Sequence, residues 1–294
     1  MIHAHTAYGL ALHLPFRCPV LPEDREDISP DVTMVEGPVP YDLASPVAQE
    51  ENWQAEPGRF LWRAGRRAGR FLVENGRRIT LQRSPIAEDE EISSHFLDSV
   101  LAAVLRQNGM IVLHANSLIT PNGAIAVSGE SGVGKSTTLG ALLQRGCFML
   151  ADDITALRNR NGCVEVIPGV PQFFLYKDVA DGLGHKNSGL PHHRRKRGKI
   201  VVSAQLAMAK DPAPLKAIYL LQTHLENEVS VRSLNGTEKF AAMHDCIYGP
   251  VLPDEHPALF PLFTALMQQI AVFRILRPAN RWTVNTVAEV LLHG

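Results

Sequence analysis

Hydrophobic positions along the chain change their period. From about Thr6 to Arg83 they come in short runs broken by glycine or Asn-Gly: "AYGLALHL", "GRFLWRAG", "GRFLVENG" and "RRITLQRS". Alternation with such breaks predicts short strands joined by tight turns. The Pro- and acid-rich "CPVLPEDREDISPDV" between them reads as loop. "SPIAEDEE" then supplies a turn and an acidic first turn, and Ile92, Phe96, Val100, Val104 and Leu105 recur at near-helical spacing until Asn108-Gly109. Strand-like "MIVLHANSLI", the Pro121-Asn122-Gly123 turn and "AIAVSG" follow, then a helix from Lys135 to about Gln144 that Gly146 stops. "CFMLADD" reads as a buried strand ending in two acids, and "FTALMQQIAVFRIL" as a helix followed by a strand. The pattern predicts two domains: a small, antiparallel, β-rich one over 1–88 and a larger α/β one over 89–294.

The junction between "AIAVSG" and the next helix carries the chemistry. Gly129-Glu130-Ser131-Gly132-Val133-Gly134-Lys135-Ser136 spells the phosphate-loop form G-x-x-x-x-G-K-[ST], with Thr137 next. Strand, glycine turn and helix are the context this motif requires, because consecutive backbone N–H groups and the helix N-terminus then meet phosphate oxygens. Lys135 would reach the terminal phosphates, and Ser136 would offer its hydroxyl to Mg²⁺. Asp152 and Asp153 end the next apolar strand. One can hold the metal while the other accepts a proton from an attacking hydroxyl. The residues alone leave open which does which.

Composition narrows the choice. A formal net charge of -1 gives no overall attraction to nucleic acid or membrane. Arg194, Arg195, Lys196, Arg197 and Lys199 form a basic run in a Gly- and Pro-broken loop, but without aromatic interleaving they do not suggest nucleic acid. Cys18, Cys147, Cys163 and Cys246 lie far apart with no C-x-x-C pair and no zinc spacing, so they read as reduced and structural. No leader and no apolar run of spanning length is seen, which makes a cytoplasmic location the expectation. His3 and His5 read as exposed terminal residues rather than a metal pair, and Trp53 and Trp62 as packing of the small domain.

"LHANSLI" followed by "GAIAVSGESGVGKSTTLGALLQRGCFMLADDITAL" resembles the core of HPr kinase/phosphorylase and its relatives, and the likeness extends over roughly Ile92 to Leu292. The opening "YGLALHLPFRCPVLP" is similar to that of shorter HPr-kinase-like proteins, among them the lasso peptide kinases, which phosphorylate the C-terminal serine of a precursor peptide. The resemblance implies the phosphoenolpyruvate-carboxykinase-like version of the phosphate-loop fold, with a mixed sheet. It implies ATP and Mg²⁺ as cofactors, and a serine kinase acting on a peptide or small protein. Symmetric homo-oligomers are common in the family. By the same resemblance His114 lies near the γ-phosphate, one of Asp152 and Asp153 is the base, and Arg197 or Lys199 closes over the triphosphate. Glu165 corresponds to a metal-binding glutamate. Here, though, the chain reads Glu165-Val166-Ile167-Pro168-Gly169, one residue longer than the family's segment and without its arginine. That departure and the different N-terminal domain point to an acceptor other than HPr. A nucleotidyl- or small-molecule phosphotransferase, or an ATP-binding switch without chemistry, are the competing functions.

Overall fold

The computed structural model describes residues 2–24, 28–184, 198–249, 257 and 259–293. Its contacts divide the chain into two units, Met1–Val112 with Gly249–Leu259, and Leu113–Tyr248 with Phe260–Gly294. The helical segment after residue 88 therefore clusters with the N-terminal strands, whereas the hydrophobic pattern had placed a boundary before it.

In the first unit, β1 (His3–Ala7), β2 (Leu10–Leu14), β3 (Val32–Glu36), β4 (Ala48–Glu50), β5 (Trp53–Glu56), β6 (Arg59–Gly65), β7 (Gly69–Glu74) and β8 (Arg78–Arg83) share one sheet. Their order is β1-β2-β3-β8-β7-β6-β5-β4. "AYGLALHL" is a hairpin rather than one strand, because Tyr8 and Gly9 take φ of 53° and 71° and reverse the chain in two residues. The sheet is not purely antiparallel: β3 runs parallel to both β2 and β8. Alternation decides which face is buried, not which way a neighbour runs.

Leu12, Leu14, Phe71, Ile79 and Leu81 are fully buried in this unit. His5 is also buried, which corrects the expectation of exposure; its Nε2 accepts a hydrogen bond from the Cys18 N–H at 3.2 Å. Helix α1 (Asp89–His95) continues through a π-helical turn (Phe96–Val100) into α2 (Leu101–Gln107). Trp62 Nε1 donates to His95 Nδ1 at 3.1 Å, and Trp53 stacks on Phe60.

The second unit is built from β9 (Ile111–Thr120, from Leu113 on), β10 (Gly123–Ser128), α3 (Lys135–Leu143), β11 (Phe148–Ala151), β12 (Ile154–Arg160), β13 (Cys163–Ile167) and β14 (Gln172–Tyr176). These are followed by α4 (Lys177–Gly182), β15 (Lys199–Ser203), β16 (Ala213–His224), β17 (Ser230–Ser233), α5 (Gly236–Cys246), α6 (Leu259–Gln269), β18 (Ala271–Pro278) and α7 (Val284–His293). The main sheet runs β10-β9-β12-β13-β16-β18-β17, with β11 also on β9 and β10 also on β16. It is mixed: β10, β16 and β18 are mutually parallel, while β9 and β17 run against them. A separate pair, β14–β15, is antiparallel.

Leu139 and Leu142 of α3 and Val287, Ala288 and Leu291 of α7 pack with Leu118, Ile125, Val127, Tyr219, Leu221 and Ile275 of the sheet. Burying a leucine stabilises by about 1.5–3 kcal/mol. That packing fixes α3 so that its N-terminus sits at the carboxyl end of β10. Among the described residues no helix is long and apolar enough to cross a membrane.

Candidate functional site

The site grows from the break between β10 and α3. Strand β10 ends at Ser128, whose hydroxyl donates to the His114 carbonyl at 2.8 Å and so ties the strand end to β9. Gly129, Gly132 and Gly134 follow with φ of 143°, 85° and 110°. Gly129 is there for a steric reason beyond its φ: a Cβ at this position would lie 2.3 Å from the Leu221 carbonyl oxygen of β16. Only glycine lets the chain pass this close to the neighbouring strand. Glu130, Ser131 and Gly132 are exposed, Val133 is buried, and Ser136 and Thr137 occupy the half-buried first turn of α3.

Lys135 is buried, and its Nζ folds back over the loop to donate to the carbonyls of Gly129 at 2.6 Å and Glu130 at 3.1 Å. An ammonium held on carbonyls can be drawn from them by a phosphate, which is the stronger acceptor.

The acids sit where the sequence put them. Asp152 and Asp153 form the turn between β11 and β12, closed by the Ile154 N–H donating to the Asp152 carbonyl at 2.8 Å. Asp152 Oδ1 accepts from Ser136 Oγ at 3.4 Å, and its Oδ2 accepts from the Phe174 N–H at 3.0 Å. This couples the first turn of α3 to β14. Asp153 is left-handed at φ 63°, and its Oδ1 lies 3.9 Å from His114 Nε2. His114 makes an edge-on contact with Tyr248. The phosphate loop, Ser136, both aspartates and His114 are thus one constellation. The Ser136 hydroxyl with the Asp152 carboxylate is a pair of hard oxygen donors. Such a pair suits Mg²⁺, which is usually held by few protein ligands and the substrate's phosphates.

Comparison with known proteins adds little to this geometry. No protein-family model matches the chain, and no curated protein matches it. Among solved structures it is similar to the HPr(Ser) kinase/phosphatase from Coxiella burnetii. The two are 14% identical, the match covers 61% of this chain and 93% of that chain, and the TM-score is 0.33. A score that low carries no argument. The functional reading rests on the residues.

Two residues expected at the site, Glu165 and Lys199, have other partners. Glu165 lies opposite Arg158 across β12 and β13, and its Oε2 is bound by Arg158 Nε and Nη2, both at 3.1 Å. Arg158 is four residues beyond Ile154, so at about 3.3 Å per residue the pair lies roughly 13 Å along the strand from the acid turn. The arginine makes Glu165 part of a hairpin rather than of the Ser136–Asp152 pair. Lys199 begins β15 opposite Tyr176, with its ammonium 5.4 Å from the centre of that ring. Arg197 and the rest of the basic run from Arg194 to Lys196 lie outside the described residues.

Two neighbours escaped the sequence reading. Cys246, at the end of α5, lies against Ser128, and burial pushes its thiol pKa up. Arg277, near the end of β18, donates from Nε to the Val133 carbonyl at 2.8 Å. No local motif marks Arg277; its place in the sheet does. It is a basic residue at the carboxyl end of a strand parallel to β16, and ligands of α/β sheets gather at that end.

Proposed function

We propose that the protein is an ATP-dependent kinase that transfers the γ-phosphate to a hydroxyl, and that this hydroxyl is a serine of a peptide or small protein. The reading rests on one observation above the others: Ser136 of the glycine loop and Asp152 of the acid turn meet at 3.4 Å, with Asp153 and His114 beside them. A loop that only held a nucleotide would not need a second carboxylate next to the metal-type pair.

Gly129 to Thr137 grip the phosphates through backbone N–H groups, and Lys135 exchanges its two carbonyl partners for phosphate oxygens. Ser136 and Asp152 would hold Mg²⁺, which neutralises charge on the phosphates. Asp153 takes the proton from the acceptor hydroxyl. His114 stands near enough to orient that carboxylate. Stabilising the transferring phosphoryl group is left mainly to positioning and fixed charge.

The decisive test is incubation of the protein with Mg·ATP labelled at either the α- or the γ-phosphate and with serine-containing acceptors, including peptides with a C-terminal serine. Transfer of γ-label alone is expected. Transfer of α-label would mean nucleotidyl transfer. If neither label moves while Mg·ATP still binds, the protein is an ATP-binding switch and the kinase reading fails.

A further inference from the structure

Strand β18 carries two arginines with opposite circumstances. Arg274 has a carboxylate: Glu238, at the start of α5, accepts from its Nη1 at 2.6 Å and also binds Arg232. Arg277, three residues on and so turned to the other face, has none among the described residues. Its Nε is engaged by the Val133 carbonyl at 2.8 Å and its Nη1 by its neighbour's carbonyl, that of Pro278, at 3.1 Å. Both partners are neutral, and burial lowers the guanidinium's pKa below its ordinary value. A half-buried cation whose partners are only carbonyls is costly, and an anion beside it would offset that cost.

The surroundings indicate where such an anion would lie. A Cβ built on Gly134 would stand 3.7 Å from Arg277 Nε and also 3.7 Å from Nη2. Gly134 is the residue from which α3 starts, so its flank belongs to the helix N-terminus, where backbone N–H groups already favour negative charge. The bond to Val133 also ties Arg277 to the residue just before Gly134. Nη2 carries the donors that no bond to a described residue uses.

We infer that Arg277 is a phosphate-binding residue of this site: it braces the glycine loop through Val133 and presents Nη2 to the phosphate chain of a bound nucleotide. The inference rests on the nucleotide-binding reading of the loop and extends it to a residue outside the motif. Arg277 adds a second fixed cation to Lys135, from the opposite end of the second unit's sequence.

Titration calorimetry with Mg·ATP and with inorganic tripolyphosphate, across a KCl series, tests this on the full chain with Arg277→Gln and Arg277→Lys. Loss of one charge-assisted hydrogen bond predicts affinity weakened about 10- to 100-fold in Arg277→Gln for both probes. Its affinity should also depend less on KCl, since one attracting charge is gone. Arg277→Lys should keep the wild-type salt dependence and recover part of the affinity. Wild-type affinity in Arg277→Gln overturns the inference, and so does weakened affinity with unchanged salt dependence, which is the signature of a brace alone. If circular dichroism shows that Arg277→Gln does not fold, Arg277→Lys decides, and reduced salt dependence in that variant overturns the inference. Wild-type protein that binds neither probe would instead refute the phosphate-loop reading itself.

Discussion

Replacement of Asp153 separates backbone from chemistry, because this residue holds a left-handed conformation at φ 63°. That conformation costs a residue with a Cβ about 1–2 kcal/mol, and aspartate and asparagine meet the cost best through local hydrogen bonds. Asp153→Ala and Asp153→Gly both delete the carboxylate and differ only in the Cβ. Glycine avoids the left-handed penalty but gives back roughly 0.4–1 kcal/mol through its freer unfolded chain. The net expectation is a glycine variant more stable than the alanine variant by about 0.5–1 kcal/mol. For a domain of this size that is a melting difference of roughly 1–4 °C. Asp153→Asn should keep the backbone and melt near the wild type. All three should lose the rate, by about 10²–10⁴-fold if Asp153 is the general base. Thermal unfolding by circular dichroism gives the first comparison, and steady-state transfer of γ-label at saturating Mg·ATP gives the second. An alanine variant as stable as the glycine variant would refute the backbone reasoning. An asparagine variant with near-wild-type rate would refute the base.

Lys135→Ala removes the ammonium now held on Gly129 and Glu130, and calorimetry should show Mg·ATP affinity reduced by about tenfold or more; unchanged affinity would dismiss the loop assignment. Ser136→Ala should weaken binding of ATP with Mg²⁺ more than without it, because its hydroxyl is half of the oxygen pair with Asp152; equal losses would count against that role. Burial holds His5 below its ordinary pKa of 6.5, so the folded chain keeps it neutral while the unfolded chain gains a proton as pH falls through 6.5. Stability of the first unit should therefore fall with pH below about 6.5 and level off beneath the folded value, and His5→Gln should flatten that part of a denaturant-midpoint profile. Thiol labelling should reach half-buried Cys163 before the other cysteines, since burial pushes Cys18 up to about 11 and raises Cys147 and Cys246 as well.

What the sequence made legible is what local order controls. The strand into the glycine loop, the helix from Lys135, the stop at Gly146 and the acids at the end of β11 all follow from period and turn residues within a dozen positions. What escaped depends on pairing at long range. No local pattern says that β3 runs parallel to β2 and β8, since the same alternation serves either direction. Glu165 was chosen for its place in a segment, yet its register opposite Arg158 decides its partner. Arg277 has no motif of its own and becomes meaningful only once β18 lies beside β16.

The fit of Gly129 beneath the Leu221 carbonyl and of Arg277 against Val133 has a consequence for the order in which the chain folds. The Arg277–Val133 bond joins residues 144 positions apart, and β10 meets β16 through pairs such as Ser128 and Leu220, also far apart in the chain. Contacts of such range close late and slowly, after local turns and helices have formed. The residues from Gly129 to Ser136 therefore exist as a sequence long before they exist as a shaped cradle. A chain in which β18 has not yet docked has the lysine and the glycines but not the geometry around them. Nucleotide would engage only the completed second unit, so its stabilising effect falls on the finished state. If these long-range contacts form after the barrier, nucleotide should slow unfolding far more than it speeds folding, which unfolding and refolding rates with and without Mg·ATP would test.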